Sequence, residues 1–363
     1  MVYKVIGLMS GSSLDGLDVV YAELQEQQST QRQGTRLWGY TILQTATYPY
    51  SEEWRRRLAT APGLSALDYQ LLHVEYGRYL GEQVNRFVEE HGLHYRVQLI
   101  ASHGHTVFHD PSRWMTAQIG DGAALAATTR INVVSDLRAM DVALGGQGAP
   151  IVPIGEKLLL AGYEYFLNLG GIANISHKDV AFDVCPANRV LNALADREGK
   201  PFDKDGAMAA AGEQNLYLLS ELNALPYYGA PYPKSLANEF GTGTLLPMVL
   251  QAGLSTADAL RTVVEHIAEQ VGRAVEQLGG EGKILITGGG AHNGFLVDRL
   301  REHLGRLGVD LVVPEPQLVD YKEALIMALI GVLRWREENN VLASVTGASR
   351  DSIGGAVWIG QDA

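Results

Sequence analysis

Near its start the chain reads Gly7-Leu8-Met9-Ser10-Gly11-Ser12-Ser13-Leu14-Asp15-Gly16-Leu17-Asp18, the stretch that decides the fold. Residues 4–9 and 18–24 are apolar runs that predict two strands, and the small polar residues between them predict a tight turn. Residues 37–47 predict a third strand of the same meander. Such a turn exposes backbone N–H groups and hydroxyls, which phosphate oxygens need as donors. The stretch indicates a phosphate-binding hairpin, with an ordinary polar turn as the alternative.

The second half of the chain repeats this device. Residues 165–169, 172–176 and 180–182 predict strands, and the first two enclose the turn Gly170-Gly171-Ile172-Ala173-Asn174. Residues 283–287 predict a strand that ends in Gly288-Gly289-Gly290-Ala291-His292-Asn293. Consecutive glycines let a phosphate or a flat ligand approach the backbone closely. Each turn alone fits an ordinary connection, but the three together favour a pseudo-duplicated α/β protein with a nucleotide in the cleft between its halves.

Two common nucleotide motifs are absent from the sequence. It contains no G-x-x-x-x-G-K-[ST], and no G-x-G-x-x-G follows a predicted strand. The first absence argues against a P-loop NTPase, and the second means that the dinucleotide-binding fingerprint is missing.

The other elements complete an alternation of strands and helices. Ser65, with Asp68 three residues later, predicts the start of a helix that runs to about residue 90. Further strands are predicted over 97–102, 132–135 and 311–313, and further helices over 256–277, 295–304 and 322–336. We expect an N-terminal domain over 1–140 and a C-terminal domain over 141–363, whose last residues can return to the first. The stretch 145–153 is the best candidate for the boundary.

Size and charge restrict the class of protein. A chain of 363 residues is too long for one simple core, which predicts two domains. The composition, 46% hydrophobic and 19% charged, is that of a globular protein. The net charge of -12 gives no electrostatic footprint for nucleic acid or an anionic membrane. Backbone N–H groups and magnesium can still set the local field around ATP phosphates.

Cysteine usage and hydropathy suggest the compartment. Cys185 is the single cysteine, so no intrachain disulfide can form and a reducing, cytoplasmic compartment fits best. The N-terminal apolar run is soon broken by Gly, Ser and Asp, which argues against a signal peptide. The longest apolar stretch, over 324–333, is about half of the ~20 residues that a membrane helix needs.

Asp183 is the candidate general base. It ends a predicted strand in Phe182-Asp183-Val184-Cys185-Pro186-Ala187-Asn188, and a strand end in an α/β fold points into a cleft. A base must reach a proton on substrate or water. The alternative is that Asp183 caps the next helix. Cys185 has no His or Asn partner in sequence and is expected to be an inert buried thiol.

Two polar stretches are candidates for sugar binding. His103, His105 and His109 fall within eight residues, but no Cys lies nearby and no H-E-x-x-H occurs, so hydrogen bonding is favoured over zinc. Asp136, Arg138 and Asp141 precede Gly145-Gly146-Gln147-Gly148-Ala149-Pro150. A sugar needs planar donors and acceptors, which Gln147 and the carboxylates supply. The alternative for this segment is a domain-linking loop.

Asp15 is the candidate magnesium contact. A carboxylate beside phosphates requires a divalent cation between them, which favours Mg²⁺. The remaining magnesium ligands are left open.

Taken together, these motifs resemble the anhydro-N-acetylmuramic acid kinases over nearly the whole chain. The resemblance lies in residues 7–18, in Ser102-His103-Gly104-His105-Thr106-Val107, in residues 145–150, in Asn168-Leu169 with the turn that follows, and in residues 288–293. It implies a duplicated actin-like (acetate and sugar kinase) α/β fold, with two domains around an ATP cleft. It also implies a homodimer that uses ATP and Mg²⁺ in cell-wall sugar recycling.

The resemblance also implies roles for individual residues. Water attacks the anomeric carbon while the freed O6 takes the γ-phosphoryl group, and the family's catalytic aspartate matches Asp183. The ATP site falls on the residues of the three turns: Gly11, Ser12, Ser13, Leu14, Asp15, Gly16, Leu17 and Asp18, then Gly170, Gly171 and Asn174, then Gly288, Gly289, Gly290 and Asn293, of which the last turn would hold adenosine. The candidate sugar contacts are His103, Asp141, Gln147, Asn188 and Glu323.

The sequence departs from the family at three places. Ser12 stands where Thr is common, and His105 where Gln is usual. The family's D-T-G-P-G-N is Asp183-Val184-Cys185-Pro186-Ala187-Asn188 here, and the larger side chains are expected to narrow the turn beside the base. Levoglucosan, which lacks the lactyl and acetamido groups, is therefore an alternative substrate. A non-catalytic sugar or nucleotide sensor is the alternative class, and a phosphatase or an ATP-driven chaperone is a weaker one.

Overall fold

The computed structural model describes residues 1–11, 14–27, 37–232 and 234–360. The chain divides into a first unit, Met1–Ala161 with Tyr321–Ala363, and a second unit, Gly162–Asp320. The expected division into independently folding domains, 1–140 and 141–363, stays a prediction.

Strands alternate with helices in both units. The strands are β1 (Val2–Ser10), β2 (Gly16–Gln27), β3 (Leu37–Pro49), β4 (Leu99–Ser102), β5 (His105–Asp110), β6 (Met115–Ile119), β7 (Val133–Ser135), β8 (Tyr165–Leu169), β9 (Ile172–His177), β10 (Val180–Pro186), β11 (Gly282–Thr287), β12 (Val309–Val312) and β13 (Ala356–Trp358).

The α-helices follow in chain order. They are α1 (Glu52–Thr60), α2 (Ala66–Glu90), α3 (Gly122–Thr129), α4 (Ala139–Ala143), α5 (Pro153–Leu159), α6 (Asn188–Asp196), α7 (Ala207–Ala211), α8 (Leu216–Asn223), α9 (Pro226–Gly229), α10 (Asn238–Phe240), α11 (Leu246–Gln251), α12 (Thr256–Gln277), α13 (Gly294–Gly305), α14 (Pro316–Trp335) and α15 (Ala343–Thr346). None of the helices in the described ranges is both long enough and apolar enough to cross a membrane.

Each unit has one main sheet, and the two sheets share an order. The first is β13-β7-β4-β1-β2-β3 and the second is β10-β9-β8-β11-β12. In both, an antiparallel meander of three strands (β1–β3, β8–β10) continues on its other side into two strands parallel to the first. The predicted duplicated α/β fold is confirmed, and the resemblance identifies it as the actin-like fold.

The first sheet requires glycine where a helix crosses it. A Cβ at Gly7 on β1 would lie 1.9 Å from the carbonyl oxygen of Ala324, so only glycine lets α14 pack this closely. Neighbouring β1 residues Val5, Ile6 and Leu8 are fully or almost fully buried. Burying such side chains contributes about 1.5–3 kcal/mol each, which fixes the strand that leads into the glycine turn.

Two long helices begin with the same cap. Ser65 accepts a hydrogen bond from Asp68 N at 3.2 Å at the start of α2, and Ser255 accepts one from Asp258 N at 3.2 Å at the start of α12. Each serine hydroxyl donates in return to the aspartate side chain. The helix start predicted at Ser65 is confirmed.

Some elements differ from the prediction. Helix α14 begins at Pro316 rather than at 322, because Pro is well tolerated in the first turn of a helix. The hairpin β5–β6 and the edge strand β13 were not predicted, since β5 is partly exposed and β13 is three residues long. Strand β4 begins at Leu99, two residues later than expected.

Candidate functional site

The first glycine turn joins β1 to β2. Ser12 and Ser13, both predicted to bind ATP, lie outside the described residues. Leu14 has a φ of 59°, and a Cβ at Gly16 would lie 2.6 Å from the carbonyl oxygen of Tyr48. Strands β1 and β2 pair on either side of the turn as predicted. Strand β2 starts at Gly16, because only glycine lets it lie this close to β3.

The predicted residues beyond this turn have different environments. Asp15 is exposed and Leu17 is buried on β2. Asp18 accepts a hydrogen bond from Thr47 Oγ1 at 2.7 Å. Of the two carboxylates, the exposed Asp15 is the more available to a cation.

A buried polar chain supports the end of β1. Ser10 Oγ lies 3.1 Å from His105 Nδ1 and accepts a hydrogen bond from the Tyr50 hydroxyl at 2.8 Å. The hydroxyls of Tyr50 and Tyr76 are 2.6 Å apart. Burial lowers the pKa of His105 to about 4, so its ring is neutral near pH 7. His105, which stands where the family usually has Gln, is therefore held in position by this chain of hydroxyl groups.

The buried His103 pairs with the partly buried Arg138 in the first unit. His103 Nδ1 donates to the carbonyl oxygen of Gly104 at 2.9 Å, and its Nε2 accepts from Arg138 Nε at 2.8 Å. Burial and then the charge of Arg138 lower the pKa of His103 to about 3. The ring is thus a neutral acceptor held in one tautomer.

The loop after α4 is organised by Asp141. This fully buried carboxylate accepts hydrogen bonds from Gly148 N at 2.7 Å and from Thr346 Oγ1 at 2.7 Å. Arg138 Nη1 donates to the carbonyl oxygen of Gly148 at 2.8 Å. Gln147 is exposed, and its backbone N–H donates to the carbonyl oxygen of Thr346 at 2.9 Å. Asp141 therefore has a clear structural task, and Gln147 is the loop residue whose side chain is free to meet solvent or ligand.

Glu323 lies beside a buried ion pair. Lys322 Nζ and Glu156 Oε1 are 2.7 Å apart, and both side chains are about 5% exposed or less. Burial raises the pKa of Glu323, against the lowering effects of Lys322 and Arg138. His103, Asp141, Gln147 and Glu323, predicted to contact sugar, all belong to the first unit.

The second unit brings its two glycine turns together around Asn188. Gly171 O accepts from Ala187 N at 2.9 Å, and Gly170 O accepts from Asn188 N at 3.1 Å. The Asn188 side chain donates to the carbonyl oxygen of Leu169 at 2.9 Å. The start of α6 thus fixes the turn between β8 and β9.

The third turn packs against the same residues. Gly288 has a φ of 84°, and a Cβ there would lie 2.4 Å from Asn168 Oδ1. A Cβ at Gly290 would lie 2.7 Å from Leu169 Cβ, whereas one at Gly289 would meet only Asn188 Nδ2, at 3.8 Å. The fold itself needs Gly288 and Gly290, while it leaves the space above Gly289 open.

Asn174 and Asn293 complete the predicted set. Asn174 pairs with Asp183 across β9 and β10. Asn293 Oδ1 accepts from Leu296 N at 3.0 Å and so caps α13.

Arg189 is a residue that sequence reasoning missed. Its Nε is buried and has no hydrogen-bond partner in the described chain. A Cβ on Gly171 would lie 3.6 Å from that atom, so the guanidinium is close to the glycine turn. An unpartnered cation beside exposed backbone suits an anion such as phosphate. Its place directly after Asn188 was the available signal.

Asp183 does not end its strand as predicted. It lies at a bulge within β10, the edge strand of the second sheet, which continues to Pro186. The register shifts between Asp183 and Cys185, so Val184 is the extra residue. Asp183 N donates to the carbonyl oxygen of Lys234 at 3.1 Å, and Oδ2 accepts from Leu236 N at 2.8 Å. No partner for Oδ1 is found within the described ranges. A bulge that re-aims a side chain is common next to active sites.

The environment of Asp183 suits a base. Burial raises the pKa of its carboxyl group, and the Leu236 N–H opposes that effect. The Tyr227 hydroxyl donates to the carbonyl oxygen of Asp183 at 2.6 Å. The alternative role as a helix cap is wrong, because α6 begins at Asn188 with Ala187 at its N-cap.

The three side chains that depart from the family motif are buried in the hydrophobic core. Val184, Cys185 and Ala187 are 3%, 0% and 0% exposed and belong to the hydrophobic core of the second unit. The expectation that they narrow the turn beside the base stays a prediction. The buried thiol expected at Cys185 is confirmed, and burial raises its pKa.

Within the described ranges, no group of three or more His, Cys, Asp or Glu side chains is placed to hold a metal ion. His109 Nδ1 lies 3.0 Å from Thr116 Oγ1, so that histidine has a hydrogen-bonding partner.

Comparison with known proteins finds relatives over nearly the whole chain. The sequence profile of the family described as anhydro-N-acetylmuramic acid kinase matches residues 3–360. The protein named anhydro-N-acetylmuramic acid kinase from Aliivibrio fischeri is 34% identical over 381 residues, covering 98% of this chain and 99% of that protein.

Two solved structures are more distant. The activator of the 2-hydroxyisocaproyl-CoA dehydratase from Clostridium difficile, with bound ADPNP, has a TM-score of 0.46 and 14% identity, over 93% of this chain and 96% of that one. The ethanolamine utilization protein EutJ from Carboxydothermus hydrogenoformans has a TM-score of 0.37 and 14% identity, over 88% and 87%.

Proposed function

Because this chain belongs to the anhydro-N-acetylmuramic acid kinase family, we propose that it opens the 1,6-anhydro bond of anhydro-N-acetylmuramic acid and phosphorylates the sugar at O6. ATP is the phosphoryl donor. A water oxygen bonds to the anomeric carbon, the bond from that carbon to O6 breaks, and O6 takes the γ-phosphoryl group as ADP leaves. The products are N-acetylmuramic acid 6-phosphate, ADP and one proton.

The proposal rests on the environment of the Asp183 carboxylate. The attacking water must lose a proton, and a carboxylate within hydrogen-bond reach can take it. One Asp183 oxygen is held by Leu236 N–H at 2.8 Å, which leaves the other to orient water. Burial raises the carboxyl pKa, and a more basic carboxylate is a better proton acceptor near neutral pH.

The glycine turns and Arg189 support ATP binding in the second unit. The residues at 170–171 and 289 leave space above the backbone, and the unpartnered Arg189 Nε supplies a donor and a positive charge. In the first unit, residues 11 and 14–18 with the predicted Ser12 and Ser13 are the proposed second phosphate contact. Mg²⁺, with Asp15 as its proposed protein contact, would neutralise phosphate charge when bound.

We further propose His103, Gln147, Asn188 and Glu323 as sugar contacts, with Asp141 holding the loop that presents Gln147. His103 is buried and Glu323 is partly buried, and burial shifts the pKa of each. Polar groups in such surroundings discriminate strongly between sugars that pair with them and sugars that do not. A cytoplasmic homodimer that acts in cell-wall sugar recycling completes the proposal.

A coupled ADP-release assay tests the function. The substrates are anhydro-N-acetylmuramic acid, levoglucosan, N-acetylglucosamine and glucose at matched concentrations. We expect the first to have the highest kcat/KM. Faster turnover of levoglucosan would move the assignment to a neutral anhydrosugar, and faster turnover of glucose or N-acetylglucosamine would refute it. Sugar and nucleotide binding without any ADP release would indicate the sensor class.

A further inference from the structure

We propose that Lys234 is a positioning residue for the proposed base, because it ties together the two ends of the segment 227–236 that holds Asp183. The inference rests on the proposed function, since it is the proposed proton acceptor that Lys234 would position. It adds a residue whose side chain acts on Asp183 through the backbone around it.

The segment 227–236 contacts Asp183 at three points. The Tyr227 hydroxyl donates to the carbonyl oxygen of Asp183 at 2.6 Å, and Asp183 N donates to the carbonyl oxygen of Lys234 at 3.1 Å. Leu236 N donates to Asp183 Oδ2 at 2.8 Å. Asp183 lies on β10, an edge strand, whose outer backbone groups have no neighbouring strand to pair with. The segment therefore supplies the partners that fix both the backbone and one carboxylate oxygen of Asp183.

The near end of the segment is anchored in the core. The Tyr228 hydroxyl on α9 lies 2.9 Å from Nε2 of His266, a fully buried residue of α12. Asn223 Oδ1 lies 2.7 Å from His266 Nδ1 and also accepts from Gln270 Nε2 at 2.7 Å. Burial lowers the pKa of His266 to about 3, so the ring is neutral near pH 7. Its Nδ1 thus donates to Asn223, and its Nε2 accepts from Tyr228.

The far end of the segment, residues 234–236, belongs to no helix or strand. Lys234 Nζ joins it to α9, because it donates to the carbonyl oxygen of Tyr227 at 3.1 Å and to that of Tyr228 at 3.4 Å. The ammonium group also lies 4.7 Å from the centre of the Tyr227 ring, a cation–π distance. Both acceptors are backbone carbonyls, so the lysine cross-links the two ends of the segment.

This cross-link should affect both the direction and the protonation of the base. The Leu236 N–H lowers the pKa of Asp183 against the effect of burial. The other titratable groups near Asp183 are Tyr227 and Cys185, and burial raises the pKa of both, so they are neutral near pH 7. If the far end came loose, the carboxylate would lose a donor and its fixed orientation. A misplacement of about 1 Å can cost 10²-fold in rate.

Amide hydrogen exchange, followed by NMR on the full chain, tests the cross-link directly. Lys234→Met removes the ammonium group, whereas Lys234→Arg can still donate to the two carbonyls. In Lys234→Met we expect the Leu236 N–H to exchange roughly tenfold faster or more, because the far end opens locally, while the amides of α12 keep their wild-type rates. Lys234→Arg should restore most of the protection. Wild-type exchange at Leu236 in Lys234→Met would overturn the inference.

Kinetics test the consequence for the base. In Lys234→Met we expect kcat at pH 7 to fall by roughly 10- to 10²-fold, with KM for ATP unchanged. The acidic limb of kcat/KM should move to higher pH, because the donor that lowers the pKa of Asp183 is lost. Lys234→Arg should recover most of both. Lys234→Gln, which keeps a shorter donor, replaces Lys234→Met if that variant does not fold, with the same direction expected for each readout.

The matched control is Arg334→Met. Arg334 is partly buried like Lys234 and also donates to a backbone carbonyl, that of Gly355 at 2.7 Å, but it belongs to the first unit. It should leave the acidic limb and the exchange of Leu236 unchanged.

Two further results would overturn the inference. A limb that moves while Leu236 keeps its wild-type exchange would mean that the charge of Lys234 acts on Asp183 directly. A raised KM for ATP with a normal kcat would make Lys234 a ligand contact. If the wild-type protein turns over no anhydrosugar, the proposed function fails, and the exchange measurement still decides whether Lys234 holds Leu236 against Asp183.

Discussion

The two sheets of this kinase share one strand order but differ in what their first hairpins hold. In the first unit, β1–β3 are 9, 12 and 13 residues long, and the hairpin turn is supported by a buried chain of Ser10, Tyr50 and Tyr76. In the second, β8–β10 are 5, 6 and 7 residues long, and the backbone of α6 holds the glycine turn. A duplicated topology has therefore kept its order while each copy acquired its own polar groups.

The two units also differ in the charged and titratable side chains that they hold. The second unit holds the proposed base, Asp183, and Arg189 beside Gly171, whose Nε has no partner among the described residues. The first unit holds His103, which accepts a hydrogen bond from Arg138 and whose pKa burial lowers to about 3, and Glu323, whose pKa burial raises. If base and sugar recognition have been divided between the copies, variants in each should produce distinct kinetic defects.

The largest effect is expected from Asp183→Asn. The amide keeps the shape and can still accept from Leu236 N–H, but it cannot take a proton from water. We predict that kcat falls by about 10²- to 10⁴-fold, with ATP affinity unchanged by calorimetry. The melting temperature at pH 7 should not fall: the raised folded-state pKa means that ionised Asp183 weakens the fold above that pKa, and the amide removes this cost.

Asp258→Asn is the control for this variant. Asp258 likewise accepts a backbone N–H, from Glu213 at 2.7 Å, but it stands at the start of α12. It should retain kcat. A near-wild-type kcat in Asp183→Asn would remove the base from the second unit and with it the proposed division.

Gly289→Leu should produce the next largest effect. The fold leaves room above Gly289, so the side chain should block the ligand's approach and weaken ATP binding by roughly tenfold or more, or at least about 1.4 kcal/mol, with little change in melting temperature. Gly288→Leu, by contrast, would strain a φ of 84° and meet Asn168, and should lower stability. Unchanged ATP affinity in folded Gly289→Leu would exclude this turn from the nucleotide site.

The pH dependence is a moderate and separate effect. A general base works when ionised, so kcat/KM should fall as pH drops through the pKa of Asp183. Burial raises that pKa, so the acidic limb should lie above the ordinary aspartate value of about 3.9. The profile of kcat/KM from pH 4 to 8 measures it. A limb at or below the ordinary value, or one that persists in Asp183→Asn, would contradict the assignment.

Sequence patterns were enough for the glycine-rich connections and for the alternation of strands and helices. Gly288, with its φ of 84°, and the cap at Ser65 act through local backbone rules, which leave a visible signature in sequence. Arg189 and the Ser10–Tyr50–Tyr76 chain were missed, because their partners are distant in sequence and meet only when the sheet forms. The bulge that shifts the register of β10 between Asp183 and Cys185 was missed, since the predicted strand stopped at residue 182.

The smallest expected effect concerns the helix caps that the two units share. Ser65→Ala and Ser255→Ala should each lower the free energy of unfolding by about 1 kcal/mol, because each removes an acceptor for a helix N–H. Chemical denaturation measures the loss, and kcat should be unchanged. A much larger loss in one variant would show that the two caps are not equivalent.

The central claim is that water opens the anhydro bond while O6 receives the phosphoryl group. The most direct measurement is one turnover of anhydro-N-acetylmuramic acid and ATP in ¹⁸O-labelled water, with rapid quenching and mass spectrometry of the products. Authentic unlabelled product, held in the same water for the same time, corrects for exchange at the anomeric position. We predict one ¹⁸O on the anomeric carbon and none in the phosphate ester of a 6-phosphate. An unlabelled sugar, or label in released inorganic phosphate without sugar phosphate, would contradict the account.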